Sequence, residues 1–186
     1  MSRATVQFFV GAKSAHEPTA GVEASVVPLP PQNKWTRRGN VLMGRGDMIG
    51  AISEFSQALL ENRRDVDAYI GRGKAFTATG GHELAMRDLN GAVAIDPQSS
   101  AALAARGGLY YEISTIRVED AEMLLNTALE DLNKAIAIDP NCAEAYKHRS
   151  KVFSKLDGNV LETSRGSRAV YDAYLALTLS PATANG

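Results

Sequence analysis

An apolar trio recurs along the chain. Ala51, Phe55 and Ala58 are followed by Ala85, Leu89 and Ala92, then by Ala128, Leu132 and Ala135, then by Ala169, Ala173 and Ala176. Steps of four and then three put each trio on one face of an α-helix, with polar residues between. The pattern predicts four helices of one kind, each burying a narrow stripe. A partner helix is predicted ahead of each, beginning near Trp35, Tyr69, Leu103 or Tyr146. Gly46-Asp47 and Gly80-Gly81 fall between the two helices of the first two pairs, where a helix–turn–helix needs a break. Pro97, Pro140 and Pro181 come just after second helices, which a proline cannot continue.

The pairs are copies of one unit. Ala92-Val93-Ala94-Ile95-Asp96-Pro97 reappears as Ala135-Ile136-Ala137-Ile138-Asp139-Pro140 and, more weakly, as Ala176-Leu177-Thr178-Leu179-Ser180-Pro181. Arg38-Gly39, Arg72-Gly73 and Arg106-Gly107 recur every ~34 residues. Arg149-Ser150 stands at the same place in a fourth unit. These anchors lay out units at 32–65, 66–99, 100–142 and 143–182, with an N-terminal tail over 1–31 and a short C-terminal tail over 183–186. The last two units carry insertions. In unit three the excess lies between Ile113 and Met123. Val118, Ala121, Leu124, Leu125 and Ala128 there run the second helix's stripe backwards, with Ser114 or Thr115 as its cap. Val160 and Leu161 repeat the device in unit four. Both second helices are expected to begin one to two turns early and to project at one edge.

Period, glycines, small residues and prolines together resemble the tetratricopeptide repeat family over roughly residues 32–182. The variant is one whose first helix carries an Arg-Gly pair and whose second carries an Asp before the large apolar residue. The resemblance implies an all-α, right-handed α-solenoid of about four helix–turn–helix units behind a mostly irregular N-terminal tail. It also implies a concave groove that takes peptides or helices of partner proteins, and so a non-catalytic scaffold or adaptor. Family members that grip the acidic C-terminus of heat-shock chaperones carry Lys, Asn, Asn, Lys and Arg on successive first helices. The equivalent positions here are Thr36, Asn40, Gly71, Ala101 and Ala105, or, one unit later, Ile70, Lys74, Ala105, Glu144 and His148. Alanine and glycine side chains offer a carboxylate no donor. Chaperone tails are therefore disfavoured, and a subunit of a larger assembly is expected ahead of a peptide-binding co-chaperone.

In the same register each unit's arginine meets one acid: Arg38 with Glu54, Arg72 with Asp88, Arg106 with Asp131 and Arg149 with Asp172. A guanidinium leaving water needs a partner, and a carboxylate matches its fork. These four pairs are expected to tie helices together rather than to bind phosphate. The groove positions are expected at Arg37, Asn40, Lys74, Ala101, Ala105, Tyr111, Lys147, Lys151 and Lys155. Small residues in unit three leave room there for a partner element or the chain's own tail. Lys147, Lys151 and Lys155 recur every four residues as a basic stripe that would steer an acidic segment.

Composition narrows the chemistry. The net charge is -1, which gives no global attraction for nucleic acid and leaves an RNA-binding helical repeat as a minor alternative. Cys142 is the only cysteine, so no internal disulfide can form and a reducing compartment is compatible. No apolar run approaches the ~20 residues of a membrane span. A cytoplasmic location is expected. Arg3 and Lys13 without an acid over 1–16 keep a mitochondrial address as the alternative. Arg45-Gly46-Asp47 is expected to be a turn, and Gly71-Arg72-Gly73-Lys74 lacks the spacing of a phosphate loop. His16, His82 and His148 lack ligand spacing, and no catalytic triad or carboxylate pair stands out. No enzymatic activity, cofactor or metal is expected. Pro28-Leu29-Pro30-Pro31 is expected to be a stiff linker.

Overall fold

The structure, a computed structural model, describes residues 33–157 and 164–180, with backbone only at 157 and 164–167. The chain divides into Met1–Pro31 and Gln32–Gly186, and every described residue belongs to the second unit. The expectations placed on residues 1–31 and on Val160, Leu161 and Pro181 lie outside the described residues. Those described form eight α-helices: α1 (Lys34–Gly44), α2 (Met48–Glu61), α3 (Val66–Ala78), α4 (His82–Ile95), α5 (Ser100–Ile116), α6 (Ala121–Ile138), α7 (Ala143–Asp157) and α8 (Ser164–Leu179).

Local chemistry sets the helix ends. The side chains of Asn33, Asp47, Asp65 and Ser99 accept from the amides of Trp35, Gly50, Ala68 and Ala102, which have no carbonyl partner in a first turn. Gly46 and Gly80 close the first two hairpins at φ 82° and 79°, a conformation open to glycine. After the second helices, Asn62, Asp96 and Asp139 accept from Arg64, Gln98 and Asn141 to make tight polar turns.

The apolar trios of α2, α4 and α6 are fully buried. Phe55, Leu89 and Leu132 reach the first helix of their own unit at its glycine. A Cβ on Gly39, Gly73 or Gly107 would come within 2.7 Å of them. The fourth trio departs from expectation: Ala169 and Ala176 are buried but Ala173 is exposed, because no described helix follows α8. Each first helix touches the next first helix, whereas no two second helices touch among the described residues. The first helices are thus the inner row of an all-α solenoid of helical hairpins.

Three arginine rungs pin the array. Arg72 donates from Nε and Nη2 to the two carboxylate oxygens of Asp88 at 2.7 and 2.9 Å. Arg106 holds Asp131, and Arg149 holds Asp172, at the same distances. All three acids are buried. The remaining nitrogen, Nη1, reaches back to the previous unit's second helix, at Ser56, Asn90 and Asn133 respectively. Each guanidinium therefore closes its own hairpin and joins it to the one before. The hydrogen bonds that Arg106 donates to Asp131 raise the Arg106 pKa against the effect of burial. The first rung is a correction. Arg38 is exposed and lies over the Trp35 ring, 5.6 Å from its centroid, while Glu54 keeps a buried oxygen without a hydrogen-bond partner. No described second helix precedes α1, so among the described residues nothing holds Arg38 from behind as Ser56 holds Arg72.

The insertion of unit three is shared between its helices. Arg72 and Asp88 are 16 residues apart, Arg106 and Asp131 25, a difference of nine. α5 has 17 residues against 13 in α3, and α6 has 18 against 14 in α4. Both helices gain one turn, and the last residue lengthens the loop. The second helix begins at Ala121, so Ser114 and Thr115 cap nothing. They lie inside α5, bonded to the carbonyls of Tyr111 and Glu112. Val118 sits in the exposed turn, outside the buried stripe.

Candidate functional site

On the inner row, α5 presents its smallest residues between α3 and α7. Ala105 and Gly108 form a floor with Lys74, Thr77 and Ala78 on one side and Glu144, Lys147 and His148 on the other, around a hollow of about 470 Å³. The expectation that this middle is vacant needs correction. The His148 ring lies on Gly108 so closely that a Cβ there would come within 2.7 Å of it. Lys74 reaches across α5 to Glu144 at 2.5 Å, joining units two and four. Glu144 also has His148 Nε2 at 3.7 Å. Burial would raise the Glu144 pKa, but His148 and the Lys74 ammonium outweigh it and lower the group to about 2.

The lysine stripe is also partly spent. Lys151 lies 3.8 Å from Glu112 and over the Tyr111 ring. Lys155 lies over the same ring and donates to the Ser114 carbonyl at 3.4 Å. The two lysines cover Tyr111 rather than offering a free basic row. Lys147 and Lys155 stay exposed, as do Arg37, Asn40 and Ala101, while Ala105 is buried. The nine expected groove residues therefore do not form one continuous surface. Thr36 is buried and donates to Asp65 at 2.9 Å, and Gly71 is covered by Phe55.

The larger hollow is at the edge where the hairpins turn. The extra turn on α5 and α6 overhangs the shorter hairpin of unit two and leaves a cleft of about 900 Å³. Leu84 and Met86 of α4, Tyr110, Ile113 and Ile116 of α5, and Leu124 of α6 line it. Ile116 is 63% exposed, Val118 in the turn 75%, and Met123 in the first turn of α6 is exposed too. His82, Glu83 and Arg117 are its polar lining, and Glu119 and Glu122 are exposed in the turn and helix start that follow. Arg117 is held by Asp120 at 2.6 Å. The sequence marked the insertion but not this cleft, because its other wall comes from unit two.

Other motifs resolve locally. Asp47 of Arg45-Gly46-Asp47 caps α2, and Gly71–Lys74 lies inside α3. The Cys142 thiol is half-buried, and burial raises its pKa. Among the described residues no three His, Cys, Asp or Glu side chains could hold a metal ion, and no helix is long and apolar enough to cross a membrane.

No family model matches the sequence, and no curated protein does. Solved structures do match the fold. TTC0263, a thermophilic tetratricopeptide repeat protein of Thermus thermophilus, superposes with a TM-score of 0.70 at 23% identity, over 78% of this chain and 73% of its own. MamA from Desulfovibrio magneticus RS-1 matches with a TM-score of 0.54 at 21% identity, over 78% and 73%. The first such domain of Spaghetti (RPAP3), solved with the HSP90 peptide SRMEEVD, matches with a TM-score of 0.55 at 20% identity, over 66% and 90%. The chain has the tetratricopeptide repeat fold.

Proposed function

We propose that this chain is a non-catalytic interaction module, a subunit of a larger assembly, and that it holds an apolar segment of a partner protein at the overhanging edge of unit three. The observation that carries the reading is the 900 Å³ apolar cleft made by the extra helical turns. Insertions in repeat arrays gather on binding faces, and exposed apolar surface rimmed by polar groups marks protein contacts. Glu83 in the lining, with Glu119 and Glu122 exposed in the adjoining turn and helix start, fits a segment with basic flanks, since Arg117 is already held by Asp120. The free positions of the inner row, Arg37, Asn40, Ala101 and Lys147, would add peripheral contacts.

A co-chaperone role, with binding of a chaperone peptide such as the one solved with the RPAP3 domain, finds little support in the residues. The Thr36 hydroxyl is engaged with Asp65, Lys74 with Glu144, and Ala101, Ala105 and Gly71 have no donor. RNA binding finds little support, since two of the three stripe lysines lie over the chain's own Tyr111. Affinity purification of the full chain, beside an Ile116→Glu/Met123→Glu variant, tests the proposal. A stoichiometric protein partner retained by the parent and lost by the variant is expected. Equal retention by both, or recovery of RNA instead, would overturn it.

A further inference from the structure

The last helix presents a second surface, unrelated to the cleft. From Ala169 to Ser180 the only charged residue is Asp172, which is buried against Arg149. The rest of the outer side is uncharged. Val170, Tyr171, Tyr174 and Leu177 stand in solvent, Tyr174 61% and Leu177 79% exposed. Steps of four and three put Val170, Tyr174 and Leu177 on one face.

Inside the array these positions have a fixed use. Counted from each unit's acid, Val170, Ala173, Tyr174 and Leu177 correspond to Leu129, Leu132, Asn133 and Ile136 of α6 and to Met86, Leu89, Asn90 and Val93 of α4. Leu132 is buried in the cluster shared with Ala145 and Val152 of α7, and Leu129 and Ile136 pack against that cluster. Asn90 and Asn133 receive the next unit's arginine. On α8 both features are changed. The large plug is Ala173, and the arginine acceptor is Tyr174. The face keeps its apolar character but lacks the amide that receives the next unit's arginine.

We infer that α8 packs antiparallel on α8 of a second copy of this chain. Uncharged faces can meet themselves without like-charge repulsion, and a two-fold axis places each residue against its mirror position. An axis between Ala173 and Tyr174 sets the Tyr174 ring over Ala173 of the second copy and Val170 against its Leu177. Large meets small at the centre, and aliphatic meets aliphatic beside it. The same axis brings the exposed Arg168 to the C-terminal end of the second copy's helix, where the helix dipole attracts a cation. A single helix pair lies at the small end of stable interfaces, so the dimer is weak and concentration-dependent.

Sedimentation of the full chain from about 5 to about 500 μM tests this, since mass action shifts a weak dimer over such a range. The parent chain should move from monomer to dimer. Tyr174→Glu/Leu177→Glu should stay monomeric with unchanged helical content. Val170→Glu alone and Leu177→Lys alone should each weaken association, and the two together in one chain should restore it, because antiparallel packing sets each carboxylate against the other copy's ammonium. A parent chain that is monomeric throughout, a dimer that survives Tyr174→Glu/Leu177→Glu, or a double variant no better than its singles would each overturn the inference.

Discussion

One helix, α5, shows two contrasting regions. Along its middle, Ala105 and Gly108 are closed over by the chain itself: His148 lies on the glycine, and the Lys74–Glu144 bridge spans both. One turn further on, Tyr110, Ile113 and Ile116 line a cleft that is left open. The difference lies in what sits opposite. Small residues let α3 and α7 approach until their polar side chains meet. The added turns of α5 and α6 extend past unit two and find no neighbour there among the described residues. Small residues on an inner row are thus no sign of a vacant groove, whereas extra length beyond the repeat period does leave surface uncovered.

The closed region should be costly to disturb. Arg106→Leu leaves the buried Asp131 carboxylate without its counter-charge and should cost about 3–5 kcal/mol in chemical unfolding. Arg38→Leu, at the rung that does not close, should cost less than about 1 kcal/mol. Equal costs would mean the closed rungs add nothing to the array. Gly108→Val sets a Cβ against the His148 ring and should cost about 1–3 kcal/mol by overpacking. A neutral result would show that α5 and α7 part easily.

The Lys74–Glu144 bridge gives the closed face a pH signature. The folded chain keeps the Glu144 carboxyl below its ordinary 4.5, so it takes up that proton later than the unfolded chain does. The stabilisation that His148 and Lys74 together give the carboxylate is whole above about pH 4.5 and is lost as pH falls towards about 2. Glu144→Gln should flatten that acid limb of the stability curve, and an unchanged limb would remove the bridge from the account. The open region should behave in the opposite way. Ile116→Glu/Met123→Glu changes exposed positions and should shift stability by no more than about 0.5 kcal/mol per site. A large loss would mean that these side chains serve the core rather than a partner.

Most of the solenoid could be read from spacing. The trios, the Arg-Gly pairs and the turn glycines are local signals, and they placed the hairpins of units one and two. Arg72, Arg106 and Arg149 face the acids that the register set beside them. What the register could not give was the second partner of each guanidinium, because Ser56, Asn90 and Asn133 belong to the unit before. Arg38 was misjudged for the same reason, since a rung needs that earlier helix as well as its acid. The insertion was assigned to the second helix alone because no glycine or proline lies between Gly108 and Pro140 to mark the turn. The contacts that close the inner face join residues 40 to 70 positions apart, such as Lys74 with Glu144 and Lys155 with Ser114, and no local pattern announces them. The uncharged stretch of α8 was legible from composition alone.

The central claim is that a partner seats on the open edge and leaves the closed inner face alone. Amide hydrogen exchange of the full chain, free and in complex with its purified partner, tests it most directly. The account predicts slowed exchange at the 117–120 turn and in the first turns of α4 and α6, with the middles of α5 and α7 unchanged. Slowing confined to the middles of α5 and α7, with the 117–120 turn exchanging as in the free chain, would contradict it.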